Sequence, residues 1–259
     1  EGDHLYMFQN DDDRIVFIIP YERDFTLIGT TDVPYDPAEG PPKISDAEID
    51  YLLDIANDYF AVPLGREAIR WTYSGVRPLY DDHSDNASTV TRDYVFDLDR
   101  GAGGHAPALL SLFGGKITTC RKLAEHAMEK LSAPLGLPDQ PWTAKAYLPG
   151  GDIANADFDA FEAEAQLSYP WMDTQVLHRM LRRYGTRIHH ILGNLTGVEQ
   201  LGVQFGAGFS EAEARYLIAE EWAQTAEDML WRRTKRGLHM STEEIAAVEA
   251  WIAAQPPID

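Results

Sequence analysis

The stretch from Leu109 to Leu131 constrains the fold most strongly, because two residue periodicities meet in it. Its first part, Leu109–Phe113, is a short apolar run typical of a buried strand. After Thr118, apolar residues recur at helical spacing; they are Leu123, Ala127, Met128 and Leu131. The segment Gly114–Lys116 separates the two patterns. The sequence therefore predicts a strand, a glycine turn and a helix in direct succession.

A turn of this kind is suited to binding an electron-rich group. The start of a helix presents free backbone N–H groups and a positive dipole end. Glycine lets a ligand approach the backbone because it has no Cβ. Gly114 and Gly115 could therefore accommodate a phosphate, with Lys116 as a nearby point charge. A tight structural turn with a solvated lysine fits the same residues, and the pattern alone does not separate the two interpretations.

Two arginines are candidates for holding an anion. Arg77 ends a predicted strand, and Pro78 biases it toward an extended backbone. Arg92 lies in the next predicted strand. A guanidinium binds a phosphate through two parallel charge-assisted hydrogen bonds, so Arg77, Arg92 and Lys116 together would hold a phosphomonoester. Ordinary ion pairs with acidic neighbours are the alternative for each arginine; these neighbours are Asp81, Asp82, Asp85 and Asp93.

Five sequence blocks resemble the FAD-dependent glycerol-3-phosphate dehydrogenases. The glycine turn is similar to a signature of that family through Gly114-Gly115-Lys116, Thr118, Arg121 and Ala124. The other blocks occur in the family's order; they are Ile28–Asp32, Trp71–Leu79, Thr91–Tyr94 and Trp222–Gly237. The resemblance runs from about Ile15 to Trp251. It departs from the signature at Cys120, where the family usually has tyrosine, and we expect this change to alter packing rather than chemistry.

The resemblance implies a flavoprotein that oxidises sn-glycerol 3-phosphate to dihydroxyacetone phosphate with FAD and passes the electrons to a membrane quinone. Arg77 aligns with the arginine that the family uses to hold the substrate phosphate. Thr31 and Arg92 are implied substrate contacts, and Lys116 is implied as a catalytic residue. The implied FAD contacts are Gly114, Gly115, Lys116, Thr118 and Thr119. The intact enzyme is expected to be cytoplasmic and peripheral to the inner membrane, and a homodimer is left open.

The patterns predict an α+β fold in two domains. Residues 1–140 are expected to form an antiparallel or mixed β-sheet region that binds substrate and contains the returning flavin segment. Its predicted strands are Arg14–Pro20, Phe25–Gly29, Arg70–Arg77, Val90–Leu98 and Ala108–Phe113. The boundary is placed near residue 140 because the segment from Ser132 to Pro149 contains four prolines. Residues 141–259 are expected to form an all-α domain. Helices are predicted to begin at three capping-box sequences, Ser45–Glu48, Ser210–Glu213 and Ser241–Glu244.

The chain lacks the dinucleotide fingerprint that an FAD protein of this family needs. Gly101–Ala106 matches G-x-G-x-x-A, but Pro107 and a predicted strand follow it instead of a helix, so it is interpreted as a hairpin loop. We therefore expect a C-terminal fragment without the N-terminal Rossmann region. Such a fragment would be inactive alone and would retain no FAD. A yellow purified chain with stoichiometric flavin would contradict this expectation.

Composition argues against several other functions. The net charge of −20 and the pI of about 4.6 do not favour binding to nucleic acid. No apolar run approaches the roughly 20 residues of a membrane-spanning helix. The single cysteine excludes an intramolecular disulfide. No metal site is predicted, because the segment Asp81–Asp85 lacks the ligand spacing of a calcium loop.

Two alternative functions stay open at this point. An oxidase of the same fold would pass the electrons to oxygen, and the five blocks do not separate it from the dehydrogenase. Oxygen uptake without an added acceptor would identify the oxidase. A non-catalytic acidic binding module is the alternative of another class, and only a measured rate excludes it.

Overall fold

A computed structural model describes residues 4–10, 12, 14–79, 93–101, 107–138 and 140–255. Their contacts divide the chain into two compact units, Glu1–Ala144 and Lys145–Asp259. The first unit combines small antiparallel sheets with two helices, and the second is mainly helical. Short 3-10 helices connect the main elements; they are Pro37–Glu39, Arg66–Ala68, Ile117–Thr119, Thr143–Lys145, Ala154–Ala156, Gly185–Arg187, Val198–Leu201 and Arg236–Leu238.

A three-stranded antiparallel sheet begins the first unit. It consists of β1 (Tyr6–Gln9), β2 (Ile15–Tyr21) and β3 (Phe25–Gly29), with β2 in the centre. In the register of the second pair, Tyr21 faces Phe25 and Phe17 faces Gly29. The predicted hairpin is therefore confirmed. Val16 and Ile18 alternate along β2 on its buried face, as a sheet covered on one side requires.

Helix α1 (Asp46–Tyr59) follows the sheet after a proline-rich loop. Its start has the predicted capping box, in which Ser45 and Glu48 bond each other's backbone N–H groups. Ile55 and Ala56 are its buried residues. The predicted strand Arg70–Arg77 is wrong, since these residues form no ladder in the structure. Alternating composition does not make a strand where no neighbouring backbone supplies the ladder hydrogen bonds.

A second antiparallel pair precedes the glycine turn. Strand β4 (Val95–Asp99) pairs with β5 (Leu109–Phe113), so that Val95 faces Phe113. Helix α2 (Cys120–Leu135) begins one 3-10 turn later. It continues through Pro134, inside the proline-containing segment in which the domain boundary was predicted, because a proline in the last turn removes only one hydrogen bond. Gly136, in a left-handed conformation, ends the helix.

The second unit holds the main hydrophobic core. Its helices are α3 (Phe158–Ser168), α4 (Thr174–Tyr184), α5 (Ile188–Leu192), α6 (Glu211–Glu221), a π-helix (Asp228–Arg233) and α7 (Thr242–Ala253). The predicted helical stripe of α4 is buried in this core; it consists of Leu177, Met180, Leu181 and Tyr184. The capping box predicted at Ser241 and Glu244 is present at the start of α7.

The prediction of a purely helical second domain needs a correction. Strands β6 (Gln204–Gly206) and β7 (Phe209–Ser210) form a short antiparallel pair in this unit. Gly206 and Gly208 adopt positive φ angles of 120° and 71° in the turn between them. These angles are accessible to glycine at little cost, so the chain reverses here where helical periodicity was expected to continue.

Two glycines of the second unit provide a prediction on stability. Gly185 and Gly193 end helices with similar angles, φ 54°, ψ −136° and φ 49°, ψ −123°. A Cβ on Gly185 would overlap the carbonyl oxygen of Gly150, whereas one on Gly193 would lie 3.7 Å from the nearest backbone oxygen. Backbone strain is therefore matched in the two alanine variants, and only Gly185→Ala adds a clash. We expect Gly185→Ala to lower the free energy of unfolding by about 2 kcal/mol more than Gly193→Ala. Urea unfolding of both variants measures the difference. Equal losses of unfolding free energy would contradict the close contact between Gly185 and Gly150.

Candidate functional site

The glycine turn has the predicted strand–turn–helix geometry. Gly114 and Gly115 follow β5 with φ angles of 71° and 99°. Lys116 then precedes the 3-10 turn Ile117–Thr119, which leads directly into α2. Two successive residues with positive φ favour glycine strongly, because a Cβ is disfavoured at both positions. The turn therefore depends on both glycines.

The space around Gly115 is too small for a side chain. A Cβ at this position would lie 3.0 Å from Leu123 Cδ1 and 3.4 Å from Tyr94 Cβ. Tyr94 in turn lies 3.4 Å from His126 Nδ1 through its hydroxyl group, and its ring meets the His126 ring edge-on. The turn thus lies against Tyr94, the residue before β4, and against Leu123 in the first half of α2.

The helix start after the turn keeps free hydrogen-bond donors. No side chain caps the 3-10 turn or α2. Thr119 donates through both its N–H and its hydroxyl group to the Lys116 carbonyl oxygen, at 3.0 Å each. Lys116, Thr118 and Cys120 are exposed. The exposed turn can therefore donate backbone N–H groups to an electron-rich ligand.

Arg77 forms an ion pair with a carboxylate that is distant in sequence. Its Nη1 donates to Asp32 Oδ2 at 2.5 Å, and both side chains are about half exposed. Sequence reasoning proposed acidic neighbours between Asp81 and Asp93 as partners and missed Asp32. The available signal was the position of Asp32 inside one of the family-like blocks. Asp32 thus occupies Nη1 of the guanidinium. The Nε and Nη2 donors on the other side of the group could bind an anion.

Thr31, the residue before Asp32, is tied to the start of α1. Its hydroxyl donates to Glu48 Oε1 at 2.5 Å, while Glu48 Oε2 accepts from the Ser45 N–H and hydroxyl at 2.8 and 2.7 Å. Burial raises the pKa of Glu48, but hydrogen bonds from Thr31 and Ser45 outweigh it and hold the pKa below its ordinary value. Glu48 therefore stays ionised at neutral pH and links Thr31 to the helix cap.

The structure connects some predicted site residues and leaves others apart. Thr31 contacts Glu48 and Arg77 contacts Asp32, and the two pairs are joined through the adjacency of Thr31 and Asp32 in the chain. Lys116 shares no hydrogen-bond or ion-pair partner with Arg77 in the described part of the chain. Arg92 lies outside the described residues, as do most of the Gly101–Ala106 loop and the acidic segment after Arg77. In the ranges that the structure describes, no group of three or more His, Cys, Asp and Glu side chains could hold a metal ion.

The basic run from Trp231 to Arg236 is used locally. Arg232 and Arg233 pair with Asp228, at 2.9 and 3.3 Å, and the Lys235 ammonium group donates to backbone carbonyl oxygens of the π-helix. These contacts are those of basic side chains at the end of a helix, where cations interact favourably with the helix dipole. Asp228 also accepts from the backbone N–H groups of Gln224 and Thr225 at 3.0 Å each.

Asp228 provides a prediction on the acid stability of this unit. Although burial raises its pKa, hydrogen bonds from Gln224, Arg232 and Thr225 lower it from the ordinary 3.8 to about 2. Because the folded-state pKa is lowered, the stabilisation is complete above pH 3.8 and is lost as the pH falls toward 2. We expect Asp228→Asn to reduce stability at neutral pH by about 1 kcal/mol and to flatten its dependence on pH in this window. Unfolding curves at several pH values test this, and parallel curves for both proteins would contradict it.

Comparison with known proteins agrees with the resemblance. Residues 1–121 match the model of the FAD dependent oxidoreductase family, and residues 141–254 match the model described as the C-terminal domain of alpha-glycerophosphate oxidase. The aerobic glycerol-3-phosphate dehydrogenase of Escherichia coli (strain K12) is 45% identical over 247 residues, which cover 95% of this chain and 49% of that protein. The chain is therefore similar to FAD-dependent glycerol-3-phosphate dehydrogenases over most of its length.

Other relatives extend this comparison. The D-erythritol 1-phosphate dehydrogenase of Brucella abortus (strain 2308) is 48% identical over 250 residues, covering 96% of this chain and 49% of the relative. A glycerol-3-phosphate dehydrogenase of Pseudomonas aeruginosa is 43% identical over 257 residues, covering 99% and 50%. The chain thus spans about half the length of the curated relatives that it matches.

The family model that matches residues 1–121 describes FAD dependent oxidoreductases, and the uncapped glycine turn offers donors of the kind that a flavin needs. A Cβ on Gly115 would meet Leu123 and Tyr94, and both glycines hold the backbone in an open turn whose N–H groups are uncapped. The donor set therefore suits the electron-rich oxygen and nitrogen atoms of the flavin ring. In the described residues, no helix is long and apolar enough to cross a membrane.

Proposed function

We propose that this chain supplies the substrate-binding region, the returning flavin segment and the C-terminal helical domain of a dehydrogenase that oxidises sn-glycerol 3-phosphate to dihydroxyacetone phosphate. The observation that carries the proposal is a guanidinium fixed on one nitrogen by Asp32, in the same unit as an uncapped glycine turn. A phosphate anchor and a flavin-binding turn are the two parts that such a reaction needs. The activities for which the relatives are named support the same reaction.

The residues of this chain would place the substrate and stabilise charge. FAD supplies the hydride acceptor when it is bound, and the protein supplies orientation and electrostatics. Arg77 would bind the substrate phosphate and thereby orient the carbon that loses hydride. Thr31 and Arg92 would add contacts to the substrate. The N–H groups that follow Gly114 and Gly115, together with Thr118, would stabilise negative charge on the flavin side of the site. Thr119 would shape the turn, since its N–H and its hydroxyl group both donate to the Lys116 carbonyl oxygen.

Lys116 would act beside the glycine turn as a positive charge and hydrogen-bond donor. It is exposed and directly precedes the 3-10 turn, so its ammonium group can reach a ligand bound at the turn. A lysine donor next to the substrate oxygen or the flavin edge lowers the energy of developing negative charge. We propose that Lys116 increases the rate of flavin reduction and does not bind the substrate phosphate. Lys116→Met, which preserves the length of the side chain and removes its charge, should therefore lower that rate without changing KM.

Exposed apolar residues near the turn are consistent with this assignment. Leu109, the first residue of the apolar strand β5, is 62% exposed. Ile117, which follows the glycine turn after β5, is 86% exposed. We propose that the flavin and the nucleotide-binding part of the longer protein cover these side chains. The relatives are about twice as long as this chain, so they contain further residues that could form such a part.

We assign a membrane quinone as electron acceptor and a peripheral location at the cytoplasmic side of the inner membrane, on the basis of the family. An oxygen-using oxidase is the alternative, since the family model of residues 141–254 takes its description from alpha-glycerophosphate oxidase. Oxygen uptake by the flavin-loaded full-length protein, measured without another acceptor, separates the two. Uptake at the rate of dye reduction supports the oxidase, and uptake far below it supports the dehydrogenase.

D-erythritol 1-phosphate is a second candidate substrate, because a relative named for this substrate is 48% identical to the chain. Both compounds are polyol phosphates, so a phosphate anchor would serve both and the rest of the pocket would discriminate them. Steady-state reduction of an artificial dye by the full-length protein gives kcat/KM for each compound. A higher value for glycerol 3-phosphate supports the first proposal, a higher value for the erythritol ester supports the second, and no reduction with either supports the non-catalytic module.

A further inference from the structure

We propose that Asp32 is a positioning residue that fixes the guanidinium of Arg77 for bidentate binding of the substrate phosphate. The inference rests on the proposed function and adds a residue that sequence reasoning did not single out. Its basis is the 2.5 Å contact between Arg77 Nη1 and Asp32 Oδ2.

The contact uses one nitrogen of the guanidinium and leaves the others available. In the part of the chain that the structure describes, neither Nε nor Nη2 of Arg77 donates a side-chain hydrogen bond. A guanidinium has five N–H donors in a rigid planar fork, and bidentate binding of phosphate needs two of them side by side. Anchoring Nη1 therefore sets the plane of the fork and presents the Nε–Nη2 edge.

Asp32 lies next to a residue that is anchored by a side-chain hydrogen bond, and Arg77 lies in an irregular segment. Asp32 follows β3 and the tethered Thr31, which donates to Glu48 at the cap of α1. Arg77 lies in a segment without a strand ladder, and its side chain is 47% exposed. A free arginine side chain has about 2 kcal/mol of rotamer entropy to lose on ordering. Asp32 orders this side chain before the substrate arrives, so less entropy is lost on binding.

The Asp32 carboxylate also brings a negative charge close to the proposed phosphate position. Two substitutions of Asp32 separate the effect of this charge from the effect of positioning Arg77. Asp32→Asn keeps an oxygen that accepts from Nη1, whereas Asp32→Ala removes the acceptor. For the flavin-loaded full-length protein, we expect Asp32→Ala to raise KM for glycerol 3-phosphate about 10-fold. Asp32→Asn should restore KM to within about 3-fold of the unsubstituted protein, because the acceptor is retained.

A double-mutant cycle distinguishes positioning from a general structural role. If Asp32 acts through Arg77, Asp32→Ala has no further effect on KM in an Arg77→Ala protein. If it only supports the local fold, its effect persists in that background. Asp50→Ala is the matched control, since Asp50 pairs with Arg66 at 2.6 Å in the same unit. Flavin content, measured for every variant, monitors folding.

The experiment is steady-state dye reduction by the four proteins of the cycle, the asparagine variant and the control. The expected result is a rise in KM with Asp32→Ala alone, restoration with Asp32→Asn, and no additional effect beside Arg77→Ala. An unchanged KM with Asp32→Ala, or an effect of equal size in the Arg77→Ala protein, would overturn the inference while the proposed function stands. Absence of reduction by the unsubstituted, flavin-loaded protein would overturn the proposed function and the role of Asp32 with it.

Discussion

Replacing Arg77 by alanine is expected to raise KM for glycerol 3-phosphate by about 100-fold in the flavin-loaded full-length protein. The physical reason is the loss of two parallel charge-assisted hydrogen bonds, each of which contributes about 1.5–3 kcal/mol. Flavin content should not change, because Arg77 contacts Asp32 and lies outside the glycine turn. Steady-state kinetics with the phosphate ester, together with the flavin spectrum of the purified variant, measure both quantities.

Arg66 provides a matched control for this experiment. Its side chain is 46% exposed, against 47% for Arg77, and it also forms ion pairs in the first unit, with Asp46 and Asp50. Arg66→Ala removes the same side chain from a comparable surface environment and should leave KM within about 2-fold, as expected for a surface ion pair. Arg77→Lys keeps the charge but not the planar fork, and its KM should fall between those of the other two variants. Equal KM values for the Arg77→Ala and Arg66→Ala proteins would show that Arg77 is not the anchor.

Replacing Glu213 by alanine is expected to destabilise the second unit by about 3–5 kcal/mol. Glu213 is fully buried and accepts two parallel bonds from Arg179 at 2.7 Å each, with a third from the Tyr184 hydroxyl at 2.7 Å. Burial, together with the adjacent Glu213 carboxylate, raises the pKa of Tyr184 well above its ordinary value, so its hydroxyl keeps the donated proton. Removing the carboxylate leaves the guanidinium charge without its main counter-charge in the core.

Chemical denaturation followed by circular dichroism measures this loss. Glu227→Ala is the control, because the Glu227–Arg232 pair is also 2.7 Å long but its carboxylate is 64% exposed. This surface pair should contribute less than about 1 kcal/mol. Similar losses for the two variants would mean that the buried ion pair does not stabilise the unit.

The same glutamate shows what sequence reasoning could and could not predict. The pattern Ser210–Glu213 predicted a capping box, and Ser210 does accept from the Glu213 N–H at 3.4 Å. The glutamate side chain instead lies in the core with Arg179, a partner 34 residues away. The reciprocal bond forms at Ser45 and at Ser241, where the glutamate has no such buried partner. Local rules therefore predict the start of the helix, and tertiary pairing decides the direction of the side chain.

The candidate site also has one part that the sequence predicted and another part that it did not. The glycine turn was predictable because strand, turn and helix are adjacent in sequence, and each has its own periodicity. The partner of Arg77 was not predictable, since Asp32 is 45 residues away and many other acidic residues lie nearer to Arg77 in the chain. The predicted strand Arg70–Arg77 failed for a related reason, because a strand exists only where another segment offers ladder partners.

The central claim is that this chain anchors a phosphate ester for oxidation by a bound flavin. The most direct measurement is loss of the visible absorbance of the oxidised flavin when the full-length protein is mixed without oxygen with glycerol 3-phosphate or with glycerol. The account predicts rapid and complete loss with the phosphate ester, and only slow loss with glycerol, because glycerol gives Arg77 nothing to bind. Equal rates with both compounds would contradict the phosphate anchor, and no loss with either would contradict oxidation of a polyol phosphate.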